Sequence, residues 1–588
     1  MTGAHTDHRT DGMDGAPVSR GLVTLVNPNK VHPPIAPYAL DVLTTALEHA
    51  GYTVEVVDLT FRRDDWDVVV AEYFSVRQPL LVGVTVRNTD TTYALEQRTF
   101  VDEHKEIILA IRQRTTAPLV AGGVGFSTMP FALVDYFGVD FGVKGPGEVI
   151  ICELADALVE GRDPRSVGGL LVNEGGGRVV STSARLPVAG TVPMAPAGYN
   201  EGRLWQVNRV DSYHRRSGDP AKVDNLAYYR WSGIGSILTK SGCVYRCSHC
   251  VEPDAKGTQF ARRSIAAVVD EIESLVAQGV HDLHTTDSEF NLAIGNSKAL
   301  LREIVRRKDA DHSGPLHQLR LWIYCQPAPF DEEFAELLAG AGCAGVNVGA
   351  DHVRRDLLDG WKVTAGGSQF YTFEDTVRLV ELSHRYGMQT MVEALFGMPG
   401  ETRETMRRCV DDFMSLNATV TGFSLGLRLF PYTALGVRMA EQCAGVRTVP
   451  GLQSNTAREP IVLRPLAMCS GPVEYERQFM FDDDGNFRLV CYFSPDLPED
   501  PARVSDPAGR WRQSVQFLWD HIPAREHYRV MLPTVAGMSE HDNNYADNPF
   551  LLSLCRLGYS GAFWSHWRER HSILQEAHDR GVLEAVNG

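Results

Sequence analysis

Three cysteines set the chemistry of this chain. Cys243, Cys247 and Cys250 lie in SGCVYRCSHC (241–250), a Cys-x3-Cys-x2-Cys spacing. Three thiolates on one short loop bind three irons of a cubane cluster and leave the fourth iron open. A structural zinc site needs a fourth protein ligand. No second Cys/His pair follows at finger spacing, and His249, next to Cys250, is badly placed to close a tetrahedron with it. The other cysteines are scattered. Eleven in 588 residues are too sparse for a disulfide scaffold, and an odd number cannot all pair within one chain. The expected setting is reducing and cytoplasmic.

Other polar residues stand where strand-like runs end. Thr286-Asp287-Ser288-Glu289-Phe290-Asn291 closes one such run, and Glu289 is placed to reach a cluster on the neighbouring loop. Its structural alternatives are an ion pair with arginine or a helix cap. In LRLWIYC (319–325), Arg320, Trp322 and Tyr324 share one face by the period of two. Trp322 reads as a packing wall, and Tyr324 as either a lumen aromatic or a working hydroxyl. Arg87 closes the run LLVGVTV (80–86) and is either a surface arginine or a ligand-facing one.

The elements that must position these groups read as alternating strands and helices. From 21 to 186, GLVTLVNPN (21–29), YTVEVVDL (52–59), LLVGVTV (80–86), APLVAGGVG (117–125) and VDFGVKG (139–145) are strands, with helices at 38–51 and 98–114. That order predicts a Rossmann-like parallel sheet, whose ligands bind at the carboxyl ends of strands. Those ends carry Asn27, Arg87-Asn88, Gly122-Gly123-Val124-Gly125 and Gly145-Pro146-Gly147-Glu148. The glycines let a large ligand approach the backbone closely. Gly122–Gly125 is not a full G-x-G-x-x-G and is not on the first strand, which argues against a nicotinamide or flavin site.

Residues 187–232 read as an irregular linker. From 233 to 440, six strand-like runs alternate with five helices, which predicts a parallel barrel or part of one. In GFSLGLRLF (422–430), Ser424, Gly426 and Arg428 oppose Leu425, Leu427 and Leu429. With Asn347, Gly349 and Glu393 they should face a polar lumen that holds cofactors. Residues 441–588 are less regular and read as a mixed C-terminal domain capping the substrate. Residues 1–20 read as a disordered tail.

Length and charge bound the rest. A chain of 588 residues is about four times the ~150-residue domain prior. A net charge of −17 argues against nucleic acid or an anionic membrane as the main partner. No apolar run approaches the ~20 residues of a membrane span.

The cysteine spacing, at the end of the first strand of a βα array, resembles the radical S-adenosylmethionine (SAM) superfamily, whose [4Fe-4S] cluster sits in a partial (β/α)6 barrel. Gly397-Met398-Pro399-Gly400-Glu401-Thr402 is similar to that superfamily's turn near the SAM adenosine. The preceding Rossmann-like domain, with Pro33-Pro34, Gly122-Gly123 and Gly145-Pro146-Gly147-Glu148, resembles the cobalamin-binding class. The resemblance implies a [4Fe-4S] cluster, cobalamin (as methylcobalamin) and SAM as cofactors, and an electron donor as partner. The class's mutases and synthases use Asp-x-His-x-x-Gly to ligate cobalt. Asp102-Glu103-His104 begins such a motif, but position 107 is Ile, so cobalamin is expected without a protein histidine on cobalt.

DSEFN (287–291), Tyr324 within WIYCQP and Arg87 together resemble the tryptophan 2-C-methyltransferases of thiopeptide biosynthesis. The resemblance implies that Glu289 caps the cluster, Arg87 sits under cobalt and Tyr324 faces the substrate. It also implies polar transfer of methyl from SAM, through cobalamin, to C2 of L-tryptophan. Indole is an electron-rich ring, and a base near its N–H, with Tyr324 as candidate, would raise its nucleophilicity. A guanidinium cannot donate a lone pair to cobalt. The alternative is a relative that makes the 5′-deoxyadenosyl radical and methylates an unactivated carbon or a phosphinate phosphorus, because DSEFN is also similar to phosphinate methyltransferases. A cobalamin sensor has no need of three clustered thiolates. Methylthiotransferases carry an additional cysteine cluster that this N-terminal domain lacks.

Overall fold

The computed structural model describes residues 19–31, 33–91, 98–182, 225–258, 260–362, 370–454, 461–498, 507–522, 527–532 and 548–582. Two seven-stranded sheets organise them.

The first sheet has the order β2-β1-β3-β4-β5-β6-β7. Its strands are β1 (Leu22–Asn27), β2 (Thr53–Asp58), β3 (Leu81–Thr85), β4 (Leu119–Gly122), β5 (Phe141–Val143), β6 (Leu170–Gly175) and β7 (Arg178–Ser181). The first five are parallel, and β6 and β7 form an antiparallel hairpin at the edge. The order 2-1-3-4-5 is that of a doubly wound sheet, with its switch point between β1 and β3. β3 is buried at every residue, as a strand covered on both faces must be. The covering helices are α1 (Tyr38–His49), α2 (Trp66–Val76), α3 (Val101–Arg112), α4 (Pro130–Phe137) and α5 (Glu148–Val159).

A short helix, α6 (Asn225–Ser232), leads into the second sheet, so the last part of the expected irregular linker is helical. The remainder of that linker up to residue 224 and most of the expected N-terminal tail lie outside the described residues. Tyr228 of α6 is buried, and its hydroxyl bonds Asp58 and receives Asn27 Nδ2.

The second sheet has the order β19-β15-β14-β13-β12-β11-β8 and is parallel throughout. Its first strand is β8 (Gly235–Ile237). A two-residue hairpin, β9 (Lys240–Ser241) with β10 (Ala261–Arg262), follows and frames the cysteine loop. The sheet continues with β11 (Asp282–Thr285), β12 (Arg320–Cys325), β13 (Cys343–Asp351), β14 (Gln389–Phe396) and β15 (Val420–Leu425). Six expected strands are therefore present. The helices between them are α7 (Glu252–Lys256), α8 (Ile265–Ala277), α9 (Ile294–Ala310), α10 (Glu332–Ala341), α11 (Arg355–Trp361), α12 (Phe373–Arg385) and α13 (Arg403–Ser415).

The run GFSLGLRLF does not continue as one strand. Gly426 has φ +79, and a Cβ there would collide with the Trp511 ring at 1.6 Å. The chain turns, and β16 (Leu427–Arg428) joins an antiparallel sheet with β17 (Leu452–Ser454) and β18 (Val490–Tyr492). The period of two breaks at this glycine. Arg428 leaves the lumen, and its side chain lies 3.8 Å from Asp90 of the first module. The seventh strand, β19 (Val530–Met531), was not expected from sequence and pairs with β15.

Further helices are α14 (Ala434–Cys443), α15 (Pro472–Arg477), α16 (Pro507–His521), α17 (Pro549–Leu557) and α18 (Arg570–Asp579). Trp564 and Trp567, between α17 and α18, pack with Trp322, Met391, Val420 and Met531. These contacts lie toward the amino ends of the barrel strands. Residues 548–582 thus close the end opposite the one that a substrate cap would cover. Among the described residues, no helix is long and apolar enough to cross a membrane.

Candidate active site

The cysteine loop is pinned at several points. Cys243 N donates to Gly257 O at 2.9 Å, Ser248 N to Trp361 O at 2.8 Å, and Leu435 N to Ser248 O at 2.7 Å. Cys243 and Cys250 each interact electrostatically with Cys247 and with one another. Burial pushes the Cys243 thiol up to about 12 and that of Cys250 upward as well. Thiolates at such buried positions need a cation beside them, which a bound metal supplies. Among the described residues, no three His, Cys, Asp or Glu side chains converge as ligands of one ion do. Cubane ligands each hold a different iron and need not converge so tightly. His249 is held neutral, at about 4, by burial, and its Nδ1 has no hydrogen-bond partner.

The DSEFN loop is stapled to the cysteine loop. Asp287 accepts from Thr239 N at 2.8 Å and pairs with Lys240 Nζ at 2.9 Å, and both side chains are fully buried. Ser288 Oγ donates to Glu252 Oε2 at 2.9 Å, and Lys256 pairs with the same carboxylate at 2.8 Å. On its other side the loop is tied to the end of β12. Phe290 N donates to Tyr324 O, and the Asn291 amide exchanges bonds with the Gln326 backbone.

Glu289 is thereby fixed between the cysteines and β12. It is buried, receives Gln326 Nε2 on Oε1, and leaves Oε2 without a partner. Burial raises its carboxyl to about 8, opposed first by Lys362 and then by Gln326. Lys362 and Asp351 form a second buried pair, at 3.0 Å, within electrostatic reach of Glu289. Asp351 has φ +57 beside a register shift between β13 and β14. Sequence reasoning missed Lys362 and Asp351. Lys362 follows a short helix far along the chain, and nothing local marks it. Gln326 is the residue after a strand, a position that could have singled it out.

The lumen has two layers. The lower is the tryptophan floor of Trp322, Met391 and Trp564. One step along each strand stand Tyr324, Asn347, Glu393 and Ser424, each partly accessible while their strand neighbours Ile323, Cys325, Val346, Val348, Val392 and Ala394 are buried. Tyr324 pairs in register with Asn347, and Gly349 with Glu393. Tyr324 Oη donates to Glu393 Oε2 at 3.1 Å, and the nearby Asn347 amide favours the charged form of the same carboxylate. The lumen face read from the period of two is present here for Tyr324, Asn347, Gly349, Glu393 and Ser424; Trp322 is on it as floor.

The turn Gly397–Thr402 is held by Glu401, whose buried carboxylate accepts Gly397 N and lies 3.2 Å from His352 Nε2. Gly397 (φ +108) passes close to Gly426, where a Cβ would sit 3.1 Å from its Cα. Pro399 and Gly400 complete the turn.

In the first module, Arg87 and Asn88 are half-buried at the end of β3, with Arg87 Nη1 on Asn88 Oδ1 at 2.5 Å. The backbone there is locked by Gly125 N on Arg87 O at 2.9 Å. Side chains at Gly123 and Gly125 would collide with Val86 O at 2.6 Å and Arg87 O at 2.8 Å. Gly122, Gly145 and Gly147-Glu148 line the adjoining strand ends, and Lys144 reaches Asp254 of the cysteine-loop helix at 2.6 Å. This glycine-lined end of the sheet therefore abuts the cluster loop, which fits a large flat cofactor shared between modules. Asn27 does not open onto it. Its buried amide is used by Asp58, Thr60 and Tyr228, and its Oδ1 receives Asn29 N.

Residues 237–413 match the Radical SAM superfamily, and residues 25–155 match the B12 binding domain. The chain is 65% identical over 584 residues to tryptophan 2-C-methyltransferase of Streptomyces laurentii, covering 95% of this chain and 98% of that one. It is similar to the radical SAM methyltransferase TsrM of Kitasatospora setae, solved with cobalamin and a [4Fe-4S] cluster. The TM-score is 0.88 and the identity 67%, over 96% of this chain and 100% of that one. The same enzyme with tryptophan substrate and a SAM analogue gives a TM-score of 0.87 at 66% identity, with the same coverage.

Proposed function

Because the chain belongs to the tryptophan 2-C-methyltransferase family of B12-binding radical SAM enzymes, we infer from its site how it moves a methyl group from SAM to the indole of L-tryptophan. It is a methyltransferase that uses cobalamin, a [4Fe-4S] cluster and SAM to methylate C2 of tryptophan. Polar transfer, the residue roles and a place in thiopeptide-type antibiotic biosynthesis are our reading.

The observation that carries the polar reading is the free buried oxygen of Glu289. Cys243, Cys247 and Cys250 would hold three irons of the cluster, and Glu289 Oε2 would be the ligand of the fourth. A carboxylate there keeps the SAM amino acid off the iron and suppresses reductive cleavage. Cobalamin, when bound, supplies an electrophilic methyl group. Gly122, Gly123, Gly125, Gly145 and Gly147, with Asn88 and Glu148, would form its seat, and Arg87 would stand against it without a lone pair to offer cobalt. The side chain of Asn27 is committed elsewhere and is not part of that seat. Gly397, Pro399 and Gly400 cradle SAM. Tyr324 faces the indole N–H. Residues 21–186 carry cobalamin and 233–440 the cluster and substrate; 441–588 cap the substrate except for 548–582, which pack at the opposite end of the barrel. An external electron donor keeps cobalt reduced, and a cytoplasmic setting suits the reduced cysteines.

The test is anaerobic turnover of reconstituted enzyme with methyl-deuterated SAM and tryptophan, followed by mass analysis. Labelled 2-methyltryptophan with S-adenosylhomocysteine alone is expected. Stoichiometric 5′-deoxyadenosine and methionine would overturn polar transfer in favour of the radical route.

A further inference from the structure

A tyrosine whose hydroxyl is held well above its usual pKa is a poor base by itself. Tyr324 is such a residue, and the first cause is the charge of Glu393 beside it. Taking a proton from an indole N–H requires that the phenol pass its own proton on in the same motion. The structure supplies the receiver. Tyr324 Oη already points its hydrogen at Glu393 Oε2, 3.1 Å away, so the free lone pairs of Oη are left for a substrate donor.

Three features mark Glu393 as more than a lumen polar group. Asn347, on the neighbouring strand, stands close enough to its carboxylate to favour the charged form. Glycines flank the pair: a Cβ at Gly349 would stand 3.4 Å from Tyr324 Oη, and one at Gly422 3.3 Å from Glu393 Cγ. Among the described residues, Glu393 forms no ion pair, whereas Asp351 is paired with Lys362 and Glu289 is turned to Gln326. Burial also raises the Glu393 carboxyl, which makes its protonated form accessible.

We propose that Glu393 is the positioning residue that takes the proton of the reaction through Tyr324. The inference rests on tryptophan as acceptor. The indole N–H bond breaks, its proton goes to Tyr324 Oη, and the Tyr324 proton goes to Glu393 Oε2. The electron pair left on the ring makes C2 the nucleophile; the C2–methyl bond forms with a ring pair as the bond between methyl and its cobalamin donor breaks, and the pair of that broken bond stays with the donor. C2 then loses its hydrogen to water as a proton. The pair of that bond restores the aromatic ring, and the relay returns the stored proton to N1. No tyrosinate forms at any stage.

The experiment compares wild type, Glu393→Gln and Glu393→Asp as reconstituted holoenzymes. Cluster and cobalamin absorbance, tryptophan binding by calorimetry, and kcat and KM for 2-methyltryptophan formation are read for each. Glu393→Gln should keep both chromophores and tryptophan affinity within about threefold, with kcat lowered about 100-fold, the scale of a lost acid–base group. Glu393→Asp should recover part of that loss. A Glu393→Gln enzyme with wild-type kcat, or one whose loss lies wholly in KM, overturns the relay. Should the glutamine variant fold poorly, an aspartate variant with kcat as low as Tyr324→Phe and normal chromophores overturns it too. Failure of the wild type to methylate tryptophan overturns the acceptor reading and the relay together, so the two failures are distinguishable.

Discussion

Gln326 Nε2 donates to Glu289 Oε1, and this single bond turns the second carboxylate oxygen, Oε2, into a buried and unpartnered position beside the cysteine loop. An unpaired buried carboxylate oxygen costs free energy unless something binds it. Glu289→Ala should therefore open the fourth iron. SAM added to the reduced variant should change the electron paramagnetic resonance spectrum of the cluster, while wild type shows no such change. Identical responses of the two proteins would remove the cap.

The cysteine ligands separate from that question. Cys243→Ala, Cys247→Ala and Cys250→Ala, made singly, should each lose most of the iron, sulfide and visible absorbance after reconstitution, because a cubane held by two thiolates is poorly retained. Full iron content in any one of them would show that this sulfur is not a ligand.

The pair Lys240–Asp287 tests how firmly the Glu289 loop is set. Both side chains are fully buried, so Lys240→Met leaves an uncompensated charge and should cost about 3–5 kcal/mol. The double variant Lys240→Met/Asp287→Leu should be less destabilised than Lys240→Met alone. Chemical denaturation of wild type and the two variants measures it, and a double variant as destabilised as Lys240→Met, or more so, would contradict the pairing.

Gly123→Ala should weaken cobalamin uptake while leaving iron content unchanged. The residue has φ +113 and its added Cβ would meet Val86 O at 2.6 Å, so the end of β3 must move. Gly161→Ala is the control, since it also has positive φ (+67) but meets no atom within 4 Å. The control should cost only the conformational penalty of about 1–2 kcal/mol. Equal cobalamin titrations of the two variants would rule out the seat at β3 and β4.

Glu476 links the modules across a buried contact, accepting Ala132 N at 2.8 Å and Tyr432 Oη at 2.8 Å. Burial raises it to about 8 from the ordinary 4.5. A raised folded value means that its contribution is complete below about 4.5 and is lost as pH climbs to about 8. The Tm of wild type relative to Glu476→Gln should fall steadily between pH 5 and pH 8.5. A difference that is flat with pH would show that Glu476 does not titrate on unfolding.

Much of this was legible because the parallel strands are short apolar runs and their functional residues follow them directly. Cys243, Glu289, Arg87 and Gly123 all stand at strand ends. Tyr324 and Glu393 were visible on one face because the period of two holds inside β12 and β14. The same rule failed for Arg428, since Gly426 takes a backbone conformation that no alternation of side chains records. Asn27 stood at a strand end but was claimed by Tyr228, about 200 residues later, a partnership no local pattern encodes. α2 was not singled out because it buries only Val70 and Phe74 and so carries no clear stripe. β19 has two residues, too few to show any period.

The tryptophans under the barrel have a consequence for traffic. With Trp322, Trp564 and Trp567 packed at one mouth, a ligand of the lumen would come and go by the other, the end that the first module reaches through Lys144 and Asp254. Such a lumen would have a single corridor, so that whatever seats deepest would have to arrive first and depart last.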